Sequence, residues 1–143
     1  MNTEPFVIER TYNAPVADVW VALTDNNQMK EWYFKLADFK PEVGFEFIFE
    51  GKDGDVTFTH LCRVTAAEPN KKLAYTWRYD KYEGNSEVTF ELFDEGDKTR
   101  LKLTHTGLET FPQNNKSFRR ESFAAGWTAI IGKNLKEYVE QNG

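Results

Sequence analysis

His60 and Cys62 stand two apart in the run VTFTHLCRV, and their types are those of a metal site or of a nucleophile with its base. In a strand, two-residue spacing puts both side chains on one face but roughly 6.5 Å apart, beyond a direct hydrogen bond. A tetrahedral metal site needs further ligands, and the chain has 2 histidines, the second being His105. In an antiparallel meander His105 falls three strands from His60, roughly 14 Å away at about 4.8 Å per strand. Neither a metal centre nor a Cys–His nucleophile follows. His60 and His105 read instead as polar groups that line a partly wet cavity or are satisfied in the core. Glu46 and Glu50 alternate onto the polar face of a strand, which argues against acid–base work by them. Arg119 and Arg120 fall away from the apolar stripe of the last helix and read as a solvated face. There is no glycine-rich phosphate loop and no nucleophile elbow. The chain therefore reads as a non-enzyme, with no cofactor expected.

The aromatic residues are more informative. They form 15% of the chain, 12 Phe among them, which is ample for a core or a pocket. Trp32, Phe47, Tyr75, Trp77, Phe90, Phe123 and Trp127 should converge between a sheet and the last helix, and with His60 and His105 they form the candidate ligand-binding set. Apolar area with a few Tyr, Trp and His tips is what a small-molecule site needs, although core packing explains most of these residues as well. Gly126 beside Trp127 points to close approach of a strand, side chain or ligand, because a mid-helix glycine costs about 1 kcal/mol against alanine.

The elements that must position these residues follow from periodicity. Phe6 to Tyr12 reads as a strand. In YNAPVADVWVALTD, Pro15 suits a first helical turn and Asn13 is the candidate cap. Val16, Val19, Trp20 and Leu23 then fall at i, i+3, i+4 and i+7, so one stripe packs on the sheet. Gln28 to Tyr33 forms a short second helix. Period two follows, with Phe45, Phe47 and Phe49 on one face, then Val56, Phe58, His60, Cys62 and Val64, then Leu73, Tyr75, Trp77 and Tyr79. Val88, Phe90 and Leu92, then Leu101, Leu103 and His105, complete that face. Asp53-Gly54 suits a two-residue hairpin loop, and centring the turn there pairs Phe49 with Phe58, Phe47 with His60 and Phe45 with Cys62. The opposite face mixes Glu46, Arg63, Arg78, Glu91, Arg100 and Lys102, as a solvated face does, with Ile48, Leu61 and Phe93 as apolar exceptions. A long amphipathic helix over about Ser117 to Gln141 ends the chain, with Phe123, Trp127, Ile130, Ile131, Leu135 and Tyr138 on one side.

Composition removes several classes of function. A net charge of -5 and a pI near 5.1 argue against nucleic acid, whose phosphates need Lys and Arg. A single cysteine excludes an internal disulfide and suits a reducing compartment. No apolar run approaches the ~20 residues of a membrane span, and MNTEPFVIER does not read as a signal peptide. The expectation is a cytoplasmic domain spanning 1–143, with neither nucleic acid nor membrane as partner.

YNAPVADVWVALTD, MKEWYF, PEVGFEF, EPNKKLAYTW, LTHTGLETF and FAAGWTAIIGKNLKEYV together resemble the activator of heat shock protein 90 ATPase homologue (AHSA1-like) family. That family lies in the START-like, or SRPBCC, superfamily, and the resemblance runs from about Phe6 to Val139. It implies an α+β helix-grip fold, a curved antiparallel sheet wrapped around a long C-terminal helix with a cavity between them. Members of the superfamily bind lipids, polyketides, hormones or metabolites, and some catalyse cyclisations. The expected function is binding of a small hydrophobic or amphipathic molecule in the cavity. The alternatives are a co-chaperone-like module with a protein partner, and a cyclase- or hydrolase-like enzyme using polar cavity groups.

Overall fold

The computed structural model describes residues 4–33, 36, 38–53 and 55–141, without the side chain of residue 53. Strand β1 (Phe6–Tyr12) leads into helices α1 (Val16–Thr24) and α2 (Asn26–Trp32). Five strands follow: β2 (Glu46–Asp53), β3 (Val56–Glu68), β4 (Lys72–Tyr79), β5 (Ser86–Glu95) and β6 (Lys98–Thr106). The sheet order is β1-β6-β5-β4-β3-β2, antiparallel throughout. A bulge in β3 between Val64 and Ala66 interrupts its pairing with β4, and such an extra residue sharpens strand bend and twist. The C-terminal helix comprises α3 (Arg120–Ala129), a π-helical stretch (Ile130–Leu135) and α4 (Lys136–Gln141). Among the described residues no helix is long and apolar enough to cross a membrane.

The inward faces are those that period two predicts, except at the start of β3, where Val56 is 47% exposed. In β6, Leu101, Leu103 and His105 are buried, and in β4, Leu73, Tyr75, Trp77 and Tyr79 are. The β2–β3 register differs from the expectation by two residues. Phe49 pairs with His60, Phe47 with Cys62 and Gly51 with Phe58, and the ladder closes on Asp53 with Val56. The turn residue Gly54 lies outside the described residues, so the Asp53-Gly54 loop is judged only by this closing pair. A two-residue slip preserves side-chain parity, so burial pattern alone does not tell the two registers apart. The observed one places the His60 ring flat on Phe49, with centroids 4.4 Å apart and planes at 11°.

Helix α1 begins differently from the sequence reading. Its N-cap is Pro15, with no side-chain cap, and Asn13 instead donates its backbone N–H to the Glu140 carboxylate at 2.9 Å. Val19 and Leu23 are buried while Val16 and Trp20 are half-buried against the core. Arg120, read as solvated, donates to the backbone carbonyls of Glu4 and Pro5 at 2.7 and 3.0 Å, and so ties the entry of β1 to α3. On the outer face Phe93 is covered by the Arg100 guanidinium, 4.1 Å from its ring centroid, whereas Ile48 stays 58% exposed.

The expected unbroken helix over Ser117 to Gln141 is a 3₁₀ turn at Lys116–Phe118, then α3, then a change of pitch. The cause is visible in the spacing. Phe123, Trp127, Ile131, Leu135 and Val139 are all buried, and they recur every four residues. In an α-helix each four-residue step overshoots a full turn by about 40°, so such a stripe rotates away from the sheet. A π turn closes i→i+5 and winds less per residue, which brings the stripe back. Within this stretch the Tyr12 hydroxyl donates to the carbonyl of Ile131 at 2.8 Å, in a fully buried setting. Tyr12→Phe removes this bond, and urea denaturation should register a loss of about 0.5–1.5 kcal/mol. A loss below about 0.5 kcal/mol would show that the bond does not hold the π stretch to β1.

Candidate functional site

The sheet and the C-terminal helix do not close on each other along their whole length. Between the β2–β4 end of the sheet and α3 lies a cavity of about 470 Å³. Its sheet side is built by Phe58, His60, Trp77 and Tyr79, all inward-facing and all buried. Its helix side is built by Phe118, Phe123, Trp127 and the half-buried Ile130. Exposed Lys52, Ser122, Ala125 and Gly126 rim the opening to solvent. A Cβ placed on Gly126 meets no atom within 4 Å, so this glycine borders open space, where the sequence reading anticipated close approach.

One hydrogen-bond chain fixes the wall. The Trp127 indole N–H donates to His105 Nδ1 at 3.0 Å. Ser86 donates its hydroxyl to the carbonyl of Trp77 at 2.7 Å, so at 2.8 Å its oxygen accepts from His105 Nε2–H. An indole is only a donor and the serine has one proton, so these partners assign the neutral tautomer of His105 protonated on Nε2. Burial pushes the His105 pKa down to about 3, and a proton on Nδ1 would also face the Trp127 N–H. The Trp77 indole donates to the Tyr79 hydroxyl at 2.8 Å, and the tyrosine's own hydrogen is not engaged by any described residue. His60 donates from Nδ1 to the carbonyl of Phe58 at 3.1 Å. Burial lowers its pKa to about 4, so it too is neutral at pH 7.

Of the nine candidate residues, His60, Trp77, Phe123 and Trp127 border the cavity. The other five pack elsewhere. Trp32 donates its indole N–H to the carbonyl of Ala22 at 2.8 Å and so joins α2 to α1. Tyr75 shares a 2.6 Å hydroxyl–hydroxyl contact with Tyr33, and burial raises the pKa of both. Phe47 sits edge-on to Tyr75, Phe90 sits edge-on to Trp127, and His105 lies behind Trp127. Phe58 and Tyr79 are lining residues absent from the candidate set, although their strand positions marked them as inward-facing. Phe118, in the 3₁₀ turn, carried no periodic signal. Cys62 is buried and its thiol pKa is raised by burial, which disfavours the thiolate. Among the described residues no group of three or more His, Cys, Asp or Glu comes together to hold a metal ion.

A curved six-stranded sheet gripping a C-terminal helix over a cavity defines a START-like, SRPBCC-type domain. Residues 13–140 match the family described as Activator of Hsp90 ATPase homolog 1-like protein, and the chain belongs to that family. Among solved structures, MLL2253 from Mesorhizobium loti is 32% identical, with 96% of this chain and 95% of that one covered and a TM-score of 0.69. CalU16 from Micromonospora echinospora is 25% identical, covering 97% and 76%, with a TM-score of 0.74. CV1439 from Chromobacterium violaceum shares the fold with a TM-score of 0.81 at 20% identity, covering 96% and 97%. Comparison with curated proteins gives no match.

The two neutral histidines make the fold acid-sensitive. The unfolded chain takes up protons near the ordinary value of 6.5 while the folded chain does not until about 4 at His60 and about 3 at His105. Their contribution is therefore complete above pH 6.5 and is lost as pH falls below it. Between about pH 6 and 5 the unfolding free energy should drop with a slope approaching two protons, about 2.7 kcal/mol per pH unit. His105→Gln keeps an acceptor for Trp127 and a donor for Ser86, and should halve that slope. Equal slopes in the two proteins, measured by urea denaturation across that range, would contradict the neutral assignment.

Proposed function

We propose that this domain binds a small hydrophobic or amphipathic molecule in the cavity between β2–β4 and α3, without turning it over. The observation that carries the reading is the ring-walled space of about 470 Å³, open past Gly126. Its volume lies within the range of small-molecule pockets, and its walls are apolar with few polar tips. The unengaged hydroxyl hydrogen of Tyr79 supplies a donor that orients a ligand oxygen. His60 is neutral and weakly basic, which suits contact with a ligand better than proton abstraction at pH 7.

A specific observation favours a second reading, a protein-interaction module: Ile48 is 58% exposed on β2, the strand at the free edge of the sheet. Gly126→Leu separates the two readings. Its side chain would enter open space, so the variant should be as stable as the parent or more so by about 1 kcal/mol, since glycine is unfavourable within a helix. Nile red titration should show binding to the parent and a loss of at least tenfold in the variant. Equal affinity in both, or none in the parent, would overturn the cavity reading and move the interaction reading to first place. A reaction that is abolished by His60→Gln would overturn binding without turnover.

A further inference from the structure

β2 ends the sheet, and among the described residues no strand pairs with its outer side. The backbone groups that point there follow from the β2–β3 ladder. Val64 donates its N–H to the Phe45 carbonyl at 2.9 Å and accepts from the Gly44 N–H at 2.8 Å, so both of its groups face the β2 side. Direction alternates along an antiparallel strand, and accordingly the Thr59 carbonyl accepts from Asp80, just past β4, at 2.9 Å. Cys62, His60 and Phe58 therefore bond towards β2, where they meet Phe47, Phe49 and Gly51. The N–H and C=O groups of Glu46, Ile48, Glu50 and Lys52 are left directed at the free edge. Such a row is a template for another strand.

The same four residues are exposed, and Ile48 stands opposite Leu61 of β3. Their order at alternate positions, Glu-Ile-Glu-Lys, selects the strand that fits. An antiparallel second copy, with the two-fold axis between the two Phe49 residues, sets Glu46 against Lys52 of that copy and Ile48 against Glu50, each twice. All four edge residues of both chains then complete their backbone bonds, and both charged pairs are of opposite sign. Sliding the copy by two residues sets Glu46 against Glu50 twice in one direction, and Glu50 against Glu50 in the other. Like charges directly opposite are destabilising. Either slide also carries one edge residue of each chain past the end of the other strand. A one-residue slide sets inward side chains against outward ones. The edge is self-complementary in one register. In that register the two Ile48 side chains lie on a diagonal of roughly 7–8 Å, within reach of each other.

We propose that β2 is a self-association edge, at which two copies of this chain join into one continuous sheet in that register. The inference goes beyond the cavity reading and does not depend on what the cavity holds. An edge-to-edge contact is smaller than an obligate interface, so the dimer forms in a concentration-dependent way. Sedimentation equilibrium on the full chain tests it. The mass should rise with concentration from the 16.7 kDa of one chain towards twice that value. Lys52→Glu should weaken the dimer by at least about tenfold, because two opposite-charge pairs become like-charge pairs. Lys52 faces Thr57 within its own chain, so this reversal adds no like-charge pair to the monomer, and the melting temperature should not change. Glu46→Lys should weaken the dimer to a similar degree. It also faces Arg63 of its own chain, but does so in monomer and dimer alike. Glu46→Lys combined with Lys52→Glu exchanges the signs and should return the dissociation constant to within about threefold of the parent's. A monomer at every concentration up to about 1 mM would overturn the proposal and leave the edge to a strand of another protein. A dimer indifferent to the single reversals, or one that the double reversal fails to restore, would place the contact elsewhere and overturn it as well.

Discussion

The hydrogen bond from the Trp127 indole to His105 Nδ1 is the contact on which the rest of the arrangement depends. It joins α3 to β6, and through Ser86 and the carbonyl of Trp77 it reaches β5 and β4. All of it lies in an apolar interior, where an unmade bond would cost the full desolvation of each group. The histidine must therefore remain neutral, and the tryptophan must remain at one height over the sheet. That requirement sets the distance between helix and strands at the point where the cavity begins.

On one side of this tether the space is filled. Ile131, Leu135 and Val139 continue the buried stripe onto the β1–β6 half of the sheet, and the π stretch keeps them facing it. Tyr12 closes that half by bonding the Ile131 carbonyl. On the other side, Gly126 contributes no side chain and the rings of Phe58, Tyr79 and Phe118 stand back around an opening. One helix thus seals one half of the sheet and stands off the other only at the cavity beside Phe58, His60, Trp77 and Tyr79. The tether separates a filled region from the ring-walled cavity.

Much of the fold was legible because period two and the turn residues constrain the same strands. Apart from Val56, the inward faces of β2 to β6 are those that alternation assigns, and a register slip of two residues leaves those faces unchanged. The division of the inward face into core and cavity was not legible. Phe47 and Phe58 carry the same signal in sequence, yet only Phe58 borders the opening, because that depends on where the helix stands off the sheet. His60 and His105 likewise share an inward-facing strand position, while only the tertiary partners of His105 reveal it as part of the tether. The sequence reading put Tyr138 rather than Val139 in the helix stripe, so the four-residue recurrence of Phe123 to Val139, and the change of pitch that goes with it, emerged only from which side chains are buried. Phe118 precedes the helix in a non-periodic segment, so no pattern marked it.

The indole N–H resonances of the 4 tryptophans report on these regions separately. Trp77 and Trp127 line the cavity and bond to Tyr79 and His105, whereas Trp32 bonds to Ala22 and Trp20 is half-buried on α1. Nitrogen–proton correlation spectra recorded while an aromatic probe is added test the site directly. The signals of Trp77 and Trp127 should move together and saturate, with those of Trp20 and Trp32 unchanged. Four stationary signals, or equal movement of all four, would contradict a binding cavity between the sheet and α3.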